Sequence, residues 1–272
     1  MSKVWFITGT SKGFGREFAL AALERGDKVA ATARNTDTLS DLVKQYGDAV
    51  LPIKLDVTDR DQVFAAVKSA HETFGRIDVV INNAGYGLFG TVEEITEQQL
   101  RDQMETNLFG VFHVTQAVLP ILREQRAGHI IQISTMGGIM AFPTLGAYHA
   151  SKWALEGMTD ALSQEVTGFG IKVTLVEPGG FATGWSGASA IVADAHPAYA
   201  PLHENMAARR AQVVLPEPVG FRSAILTVVD AEKPPLRVFF GEGPTFMAPQ
   251  VYQQRLTEWA QWAHVSRAAE GK

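Results

Sequence analysis

An apolar run, Lys3-Val4-Trp5-Phe6-Ile7, leads straight into Thr8-Gly9-Thr10-Ser11-Lys12-Gly13-Phe14-Gly15, after which the pattern turns helical as far as Gly26. A glycine-rich turn from a strand into a helix restricts a chain more than any other feature here, because it is how a βαβ unit lays backbone amides against phosphate. Gly9 permits the tight turn, Gly13 lets amides approach a phosphate, and Gly15 lets the helix pack closely on the strand. Taken alone, the same turn is also an ordinary strand-to-helix connection. The phosphate loop of nucleotide hydrolases needs Gly-x4-Gly-Lys-Ser/Thr, and the fifth residue after Gly9 is Phe14, so that reading fails.

The rest of the chain repeats the theme. Short apolar runs at Lys28–Ala33, Val50–Lys54, Asp78–Ile81, Ile130–Ile133, Ile171–Val176 and Arg237–Phe240 alternate with helical patterns, which predicts an α/β doubly wound sheet of seven parallel strands with helices on both faces. Thr58 is the expected cap of a helix carrying Val63, Val67, Ala70 and Phe74 on one face, with Gly75 as its stop. Thr96-Glu97-Gln98-Gln99 reads as a capping box opening one long helix to about Arg123, and a Trp-rich helix at about 246–265 closes the chain. With no repeats and no convincing linker, the 272 residues are expected to form one domain.

Composition removes several chemistries. The chain has no cysteine, so disulfides, thiolate catalysis and zinc-thiolate sites are excluded. A net charge of -5 without any Lys/Arg cluster argues against nucleic acid or an anionic membrane surface as partner. The stretch from Ala127 to Ser151 lacks Asp, Glu, Lys and Arg, but Gly, Pro, Ser, Thr and Gln interrupt it, so it reads as a buried strand with a site loop and not a membrane span. The first strand begins at Lys3, which leaves no room for a signal peptide, and the expected location is cytoplasmic. His71-Glu72-Thr73-Phe74 and His203-Glu204-Asn205-Met206 lack the second histidine of a zinc helix, no Gly-x-Ser-x-Gly elbow occurs, and no metal is expected.

Tyr148 and Lys152 stand four residues apart in Tyr148-His149-Ala150-Ser151-Lys152, one helical turn on one face. An ammonium at that distance favours a phenolate and is expected to lower the phenol's pKa from about 10 into a range useful for acid/base work. By spacing alone, such a pair is more often a half-exposed couple on a solvated face. The glycine loop, Asn82-Asn83-Ala84-Gly85 after an apolar strand, and Pro178-Gly179 after a later one change that balance. In order and spacing these motifs resemble the short-chain dehydrogenase/reductase family, in its shorter-subunit branch, from about Lys3 to about Phe240.

The resemblance implies hydride transfer between a nicotinamide cofactor and a small-molecule carbonyl compound or secondary alcohol. It assigns Tyr148 as proton donor, Lys152 as the group that tunes it and bonds the nicotinamide ribose, and Asn107 as support for a water-mediated relay. Where the family keeps a serine thirteen residues before its tyrosine, this chain has Thr135, whose hydroxyl is expected to polarise the substrate carbonyl, with Ser134 as fallback. The cofactor-binding set carried over is Gly9, Ser11, Lys12, Gly13, Phe14, Gly15, Arg34, Asp56, Val57, Asn83, Ala84, Gly85, Tyr148, Lys152, Pro178, Gly179, Phe181 and Thr183.

At the end of the second strand stands Ala33, where an NAD-specific member usually carries an acid, followed by Arg34. With Lys12 in the loop, two cations are expected to converge on a 2′-phosphate, so NADP (NADPH) is favoured and NAD is less expected. The segment at about 185–210, with Trp185, Ile191, Val192 and Tyr199, is the expected substrate lid. With Phe89, Met136, Phe142 and Leu145 it suggests an apolar, medium-sized ketone or aldehyde, although the same residues suit plain core packing. The family also implies a homodimer or homotetramer paired through the helices at about Glu97–Arg123 and Tyr148–Val166. The reading from a different class is a cofactor-binding regulator without turnover.

Overall fold

The computed structural model describes residues 2–187 and 189–271. Among the described residues nine strands form two sheets: β1 (Val4–Ile7), β2 (Lys28–Ala33), β3 (Val50–Lys54), β4 (Val79–Asn82), β5 (Leu88–Phe89), β6 (Gly128–Ile133), β7 (Ile171–Pro178), β8 (Ile191–Val192) and β9 (Arg237–Phe240). The main sheet has the order β3-β2-β1-β4-β6-β7-β9, every pairing parallel. The chain leaves β1 toward β2 and β3, then returns to β4 on the other side, so the switch point lies between β1 and β4, directly above the glycine loop. Strands buried on both faces explain the continuous apolar runs.

The helices are α1 (Gly13–Glu24), α2 (Ser40–Tyr46), α3 (Arg60–Phe74), α4 (Glu97–Met104), α5 (Gly110–Gln125), α6 (Gly146–Glu165), α7 (Ala200–Ala211), α8 (Phe221–Asp230), α9 (Gly243–Gln261) and α10 (Ala263–Ala269). One core packs α1 and α8 on the sheet through Phe18, Phe221 and Ile225 against Ile7 and Ile81. The other packs α3 and α5 through Val63, Val67, Val114 and Leu122 against Phe6, Val80 and Ile130. Each such fully buried side chain contributes roughly 1.5–3 kcal/mol relative to exposure, which is what holds the layers together.

Local signals decide where elements stop and start. Gly75 ends α3 at φ 78, as its position predicts. The cap of α3 is Asp59, whose side chain accepts from the Gln62 amide, and not Thr58; the Thr58 hydroxyl donates to Asp56 instead. The capping box at Thr96 and Gln99 is present in both directions. The long helix it opens does not run uniformly to Arg123. Between α4 and α5 the backbone takes a π turn over Glu105–Phe109, and that extra residue per turn points the Asn107 side chain inward. The C-terminal helix begins earlier than predicted, at Gly243, and continues into α10 after a break at Trp262. The small parallel sheet, Leu88 with Ile191 and Phe89 with Val192, was not predicted, because strands of two residues leave no periodic trace.

Candidate active site

The C-terminal ends of β1, β2, β4, β6 and β7 open onto a cavity of about 1240 Å³. Of the site residues predicted from sequence, all line it except Gly15 and Asn107. Gly9 turns the chain at φ 71, a conformation that side chains rarely adopt. Gly15 is placed by contact: a Cβ there would stand 2.3 Å from the Gly9 carbonyl oxygen, so α1 starts pressed against the loop. Lys12 precedes α1 without giving a side-chain cap, and the first turn holds no acid, so the amides at this helix start carry no side-chain partner of that kind. Asn83 braces the loop by donating to the carbonyls of Thr8 and Gly9 at 2.9 and 3.0 Å.

At the rim, Arg34 is exposed beside buried Ala33, and Asp56 is the one carboxylate among the described lining residues. Asp56 Oδ1 accepts from the amide and hydroxyl of Thr58 at 3.0 and 2.8 Å. Lys12 Nζ reaches toward the turn before residue 185, 3.7 Å from where a Gly184 Cβ would be.

At the floor, Tyr148 and Lys152 lie on α6, both buried. Lys152 Nζ donates to the Ile133 carbonyl at 2.8 Å. Burial pulls its pKa down to about 8, with Glu156 acting the opposite way. Burial likewise pushes the Tyr148 phenol above its ordinary value, and the Thr135 hydroxyl is the group that lowers it. The expected lowering of the phenol by Lys152 is therefore not found: burial is the dominant influence on the phenol, and the Lys152 amine is turned to the Ile133 carbonyl. Thr135 Oγ1 also accepts from the Gly137 amide at 3.2 Å. The Ser134 side chain turns toward Glu156: a Cβ on Gly138 would meet Ser134 Oγ at 2.6 Å and Glu156 Oε1 at 3.1 Å, so the two side chains converge there. The hydroxyl beside the phenol is that of Thr135, and Ser134 is not in that position.

Asn107 is fully buried outside the cavity wall. Its Nδ2 donates to the Tyr86 carbonyl at 3.1 Å and to Ser151 Oγ at 3.2 Å, and its Oδ1 accepts from the Tyr86 amide at 3.2 Å. Ser151 in turn donates to the Tyr148 carbonyl at 2.7 Å, so Asn107 ties the turn after β4 to the backbone of α6. His149, next to Tyr148, points elsewhere and accepts from the Phe142 amide at 3.0 Å.

The outer wall comes from residues 185–215. Trp185 sits against Tyr148 and Phe89, with ring centroids 4.8 and 5.2 Å apart. Phe142, Leu145 and Ile191 also line the cavity, but Met136, Val192 and Tyr199 do not. Met136 packs with Ile139 and Met140 against Ala248 of α9, Val192 is exposed, and the Tyr199 hydroxyl donates to Glu93 at 2.7 Å. Sequence reasoning missed the cavity face of α7, where Leu202, Met206, Arg209 and Arg210 line the wall. Their spacing of three and four residues was the available signal. Among the described residues no group of three or more His, Asp or Glu side chains could hold a metal ion, and no helix is long and apolar enough to cross a membrane.

A family profile described as short chain dehydrogenase matches residues 3–190. The chain belongs to that family. This short-chain dehydrogenase is 43% identical over 275 residues to "Oxidoreductase BOA17" of Botryotinia fuckeliana, covering 99% of this chain and 100% of that protein. The crystal structure of a short-chain dehydrogenase from Streptomyces avermitilis superposes with a TM-score of 0.91 at 40% identity, covering 98% of each chain. A short chain dehydrogenase from Burkholderia cenocepacia, solved in complex with NADP, superposes with a TM-score of 0.77 at 26% identity over 96% of this chain and 97% of that one. Both superpositions extend through the sheet and its helices, and the protein is an oxidoreductase of this fold.

Proposed function

We propose that this short-chain dehydrogenase transfers a hydride between NADP(H) and a carbonyl compound or secondary alcohol, with Tyr148 as the acid/base. The observation that carries the reading is the placement of the Tyr148 phenol and the Thr135 hydroxyl together at the floor of a cavity whose other end is a glycine loop and an uncapped helix start. The residues present fit a dinucleotide. The amides at the start of α1 suit a pyrophosphate, Asn83, Ala84 and Gly85 form the wall beside it, and Pro178, Gly179, Phe181 and Thr183 form the wall toward Tyr148. A bound nicotinamide supplies the hydride to the substrate carbon or accepts it.

The protein's own groups handle the proton. In the reductive direction Thr135 donates a hydrogen bond to the carbonyl oxygen and orients it, and Tyr148 gives its proton to that oxygen as negative charge develops. A phenol held above its ordinary pKa stays protonated, ready to donate. Asn107 fixes the turn of α6 that carries Tyr148 through Ser151. The walls, Trp185, Phe89, Phe142, Leu145 and Ile191, suit an apolar, medium-sized ketone or aldehyde. Exposed Leu100, Phe109, Phe112 and Trp153 on α4, the π turn, α5 and α6 suit a homo-oligomer paired through these helices, and a monomer mass by light scattering at micromolar concentration would refute it.

The deciding experiment is the loss of reduced-nicotinamide absorbance with a panel of ketones and aldehydes, run beside Tyr148→Phe. Wild type should turn over members of the panel, and the variant should lose roughly a hundredfold to ten-thousandfold in rate while still binding NADPH. A wild-type protein that binds NADPH and reduces nothing would instead make it a cofactor-binding regulator.

A further inference from the structure

Along one face of α6, at intervals of four residues, stand Tyr148, Lys152, Glu156 and Asp160. The first two belong to the site proposed above. Glu156 does not, and it is buried, 5% exposed. Facing it from β7 is Glu177, which is fully buried, and from β9 comes Arg237. Arg237 Nε lies 3.0 Å from Glu156 Oε2 and 3.6 Å from Glu177 Oε1, while its other arm bonds Asp160 Oδ2 at 2.9 Å.

The hydrogen bonding of this cluster does not close if both glutamates are ionised. Both carboxyl oxygens of Glu177 are buried without a hydrogen-bond partner and Glu156 Oε1 has only the Ser134 hydroxyl near it, while the two carboxyl groups face the same Arg237 Nε. Two carboxylates only accept, so they can bond only if one carries a proton. We propose that Glu156 and Glu177 form a buried carboxyl pair holding a single proton, borne by Glu177, and that the charge left on Glu156 keeps Lys152 an ammonium beneath Tyr148. Glu156 is then a positioning residue, acting on the reaction through Lys152.

The choice of Glu177 as the proton carrier follows from its surroundings. Burial raises Glu156 as well, but Ser134 beside it, Arg237 at hydrogen-bond distance and Lys152 one turn away all act against that and favour its charged form. Glu177 has only the longer contact to Arg237, and burial together with the charge of Glu156 pushes it up to about 8. Lys152 has one hydrogen bond, to a neutral carbonyl, and burial opposes its charge. Among the groups named, Glu156 is the one that pushes Lys152 back toward the ammonium.

The test reads the two charge states directly and does not depend on a substrate being found. In protein carrying lysine labelled at the ε-carbon, the Lys152 resonance, assigned by its loss in Lys152→Met, should titrate at a pH lower by about one unit or more in Glu156→Gln. Glu156→Asp, which keeps the charge, should shift it less. Infrared spectra should hold a protonated-carboxyl band at pH 7 that disappears in Glu177→Gln, and in that variant the Lys152 midpoint should move less than in Glu156→Gln. If Glu156→Gln does not fold, the Glu156→Asp titration and the Glu177→Gln spectrum still decide. An unshifted Lys152 midpoint in Glu156→Gln, or no carboxyl band assignable to Glu177, would overturn the proposal. Where a carbonyl substrate is found, the alkaline limb of kcat/KM in Glu156→Gln should move acid by the same interval, which a purely structural loss would not produce; failure to find any substrate would count against the proposed reaction alone.

Discussion

The indole of Trp185 stands over the ring of Tyr148, centroids 4.8 Å apart and planes at 57°. The indole is wedged from behind by Gly87, where a Cβ would lie 2.7 Å from the Trp185 ring, and from the side by Phe89. Trp185 thus limits how large a group can reach the phenol. Trp185→Ala should raise kcat/KM for bulky ketones relative to small ones by roughly tenfold, the scale set by a few methylenes of pocket volume. An unchanged ratio across a graded ketone series would remove Trp185 from the substrate wall.

Thr135 and Ser134 are neighbours with opposite directions, one toward Tyr148 and the other toward Glu156. Thr135→Ala should therefore cost roughly a hundredfold in kcat, by analogy with removing one donor from a developing oxyanion. Thr135→Ser should stay within a few-fold of wild type, and Ser134→Ala should cost far less than Thr135→Ala. Steady-state rates on one substrate check all three, and a dead Ser134→Ala beside an active Thr135→Ala would reverse the roles.

The segment at 185–210, the proposed lid, is tied to the body through an acid that the sequence did not single out. Glu94, buried, accepts from the Thr91 amide at 2.7 Å, the His196 amide at 2.9 Å and His203 Nε2 at 2.7 Å. These donors hold its carboxyl down to about 2, from an ordinary 4.5. A depressed carboxyl contributes stability that is present above its unfolded pKa and lost as pH falls through the folded one, so the latch should be intact at pH 5 and fade between about 4.5 and 2. Glu94→Gln should release it at neutral pH, with the His196 amide exchanging about tenfold faster by hydrogen exchange. Equal protection in variant and wild type would show that the lid is held by packing alone.

What could be read in advance was what is local in sequence. The glycine loop, the Tyr148/Lys152 spacing, the capping box at Thr96 and the stop at Gly75 depend on residues within a turn of each other, and the structure has each of them. The Thr58 cap failed because Asp59 competes one residue away with an equally good acceptor. The π turn at Asn107 is hidden inside an unbroken helical pattern, because one extra residue in a turn changes no residue type. The pairing of Glu156 with Glu177 joins α6 to β7, and an acid four residues after a lysine looks like an exposed i,i+4 pair until burial is known. The same blindness to burial produced the wrong direction for Tyr148, where desolvation is the largest influence on the phenol.

Cofactor choice turns on the end of β2. Ala33 is buried there and offers no carboxylate to an adenosine ribose, while Arg34 follows it, exposed at the cavity rim. Asp56, the one carboxylate among the described lining residues, accepts from the Thr58 amide and hydroxyl. Lys12 extends toward Gly184, so Arg34 is the cation expected to matter more to a 2′-phosphate. A charge-assisted hydrogen bond contributes roughly 1.5–3 kcal/mol, and about 1.4 kcal/mol is tenfold in affinity. Arg34→Ala should accordingly weaken NADPH at least about tenfold and leave NADH nearly unchanged, with Lys12→Ala the milder of the two. Fluorescence titration of both cofactors gives the comparison, and equal kcat/KM for NADPH and NADH in the wild-type protein would end the case for NADP.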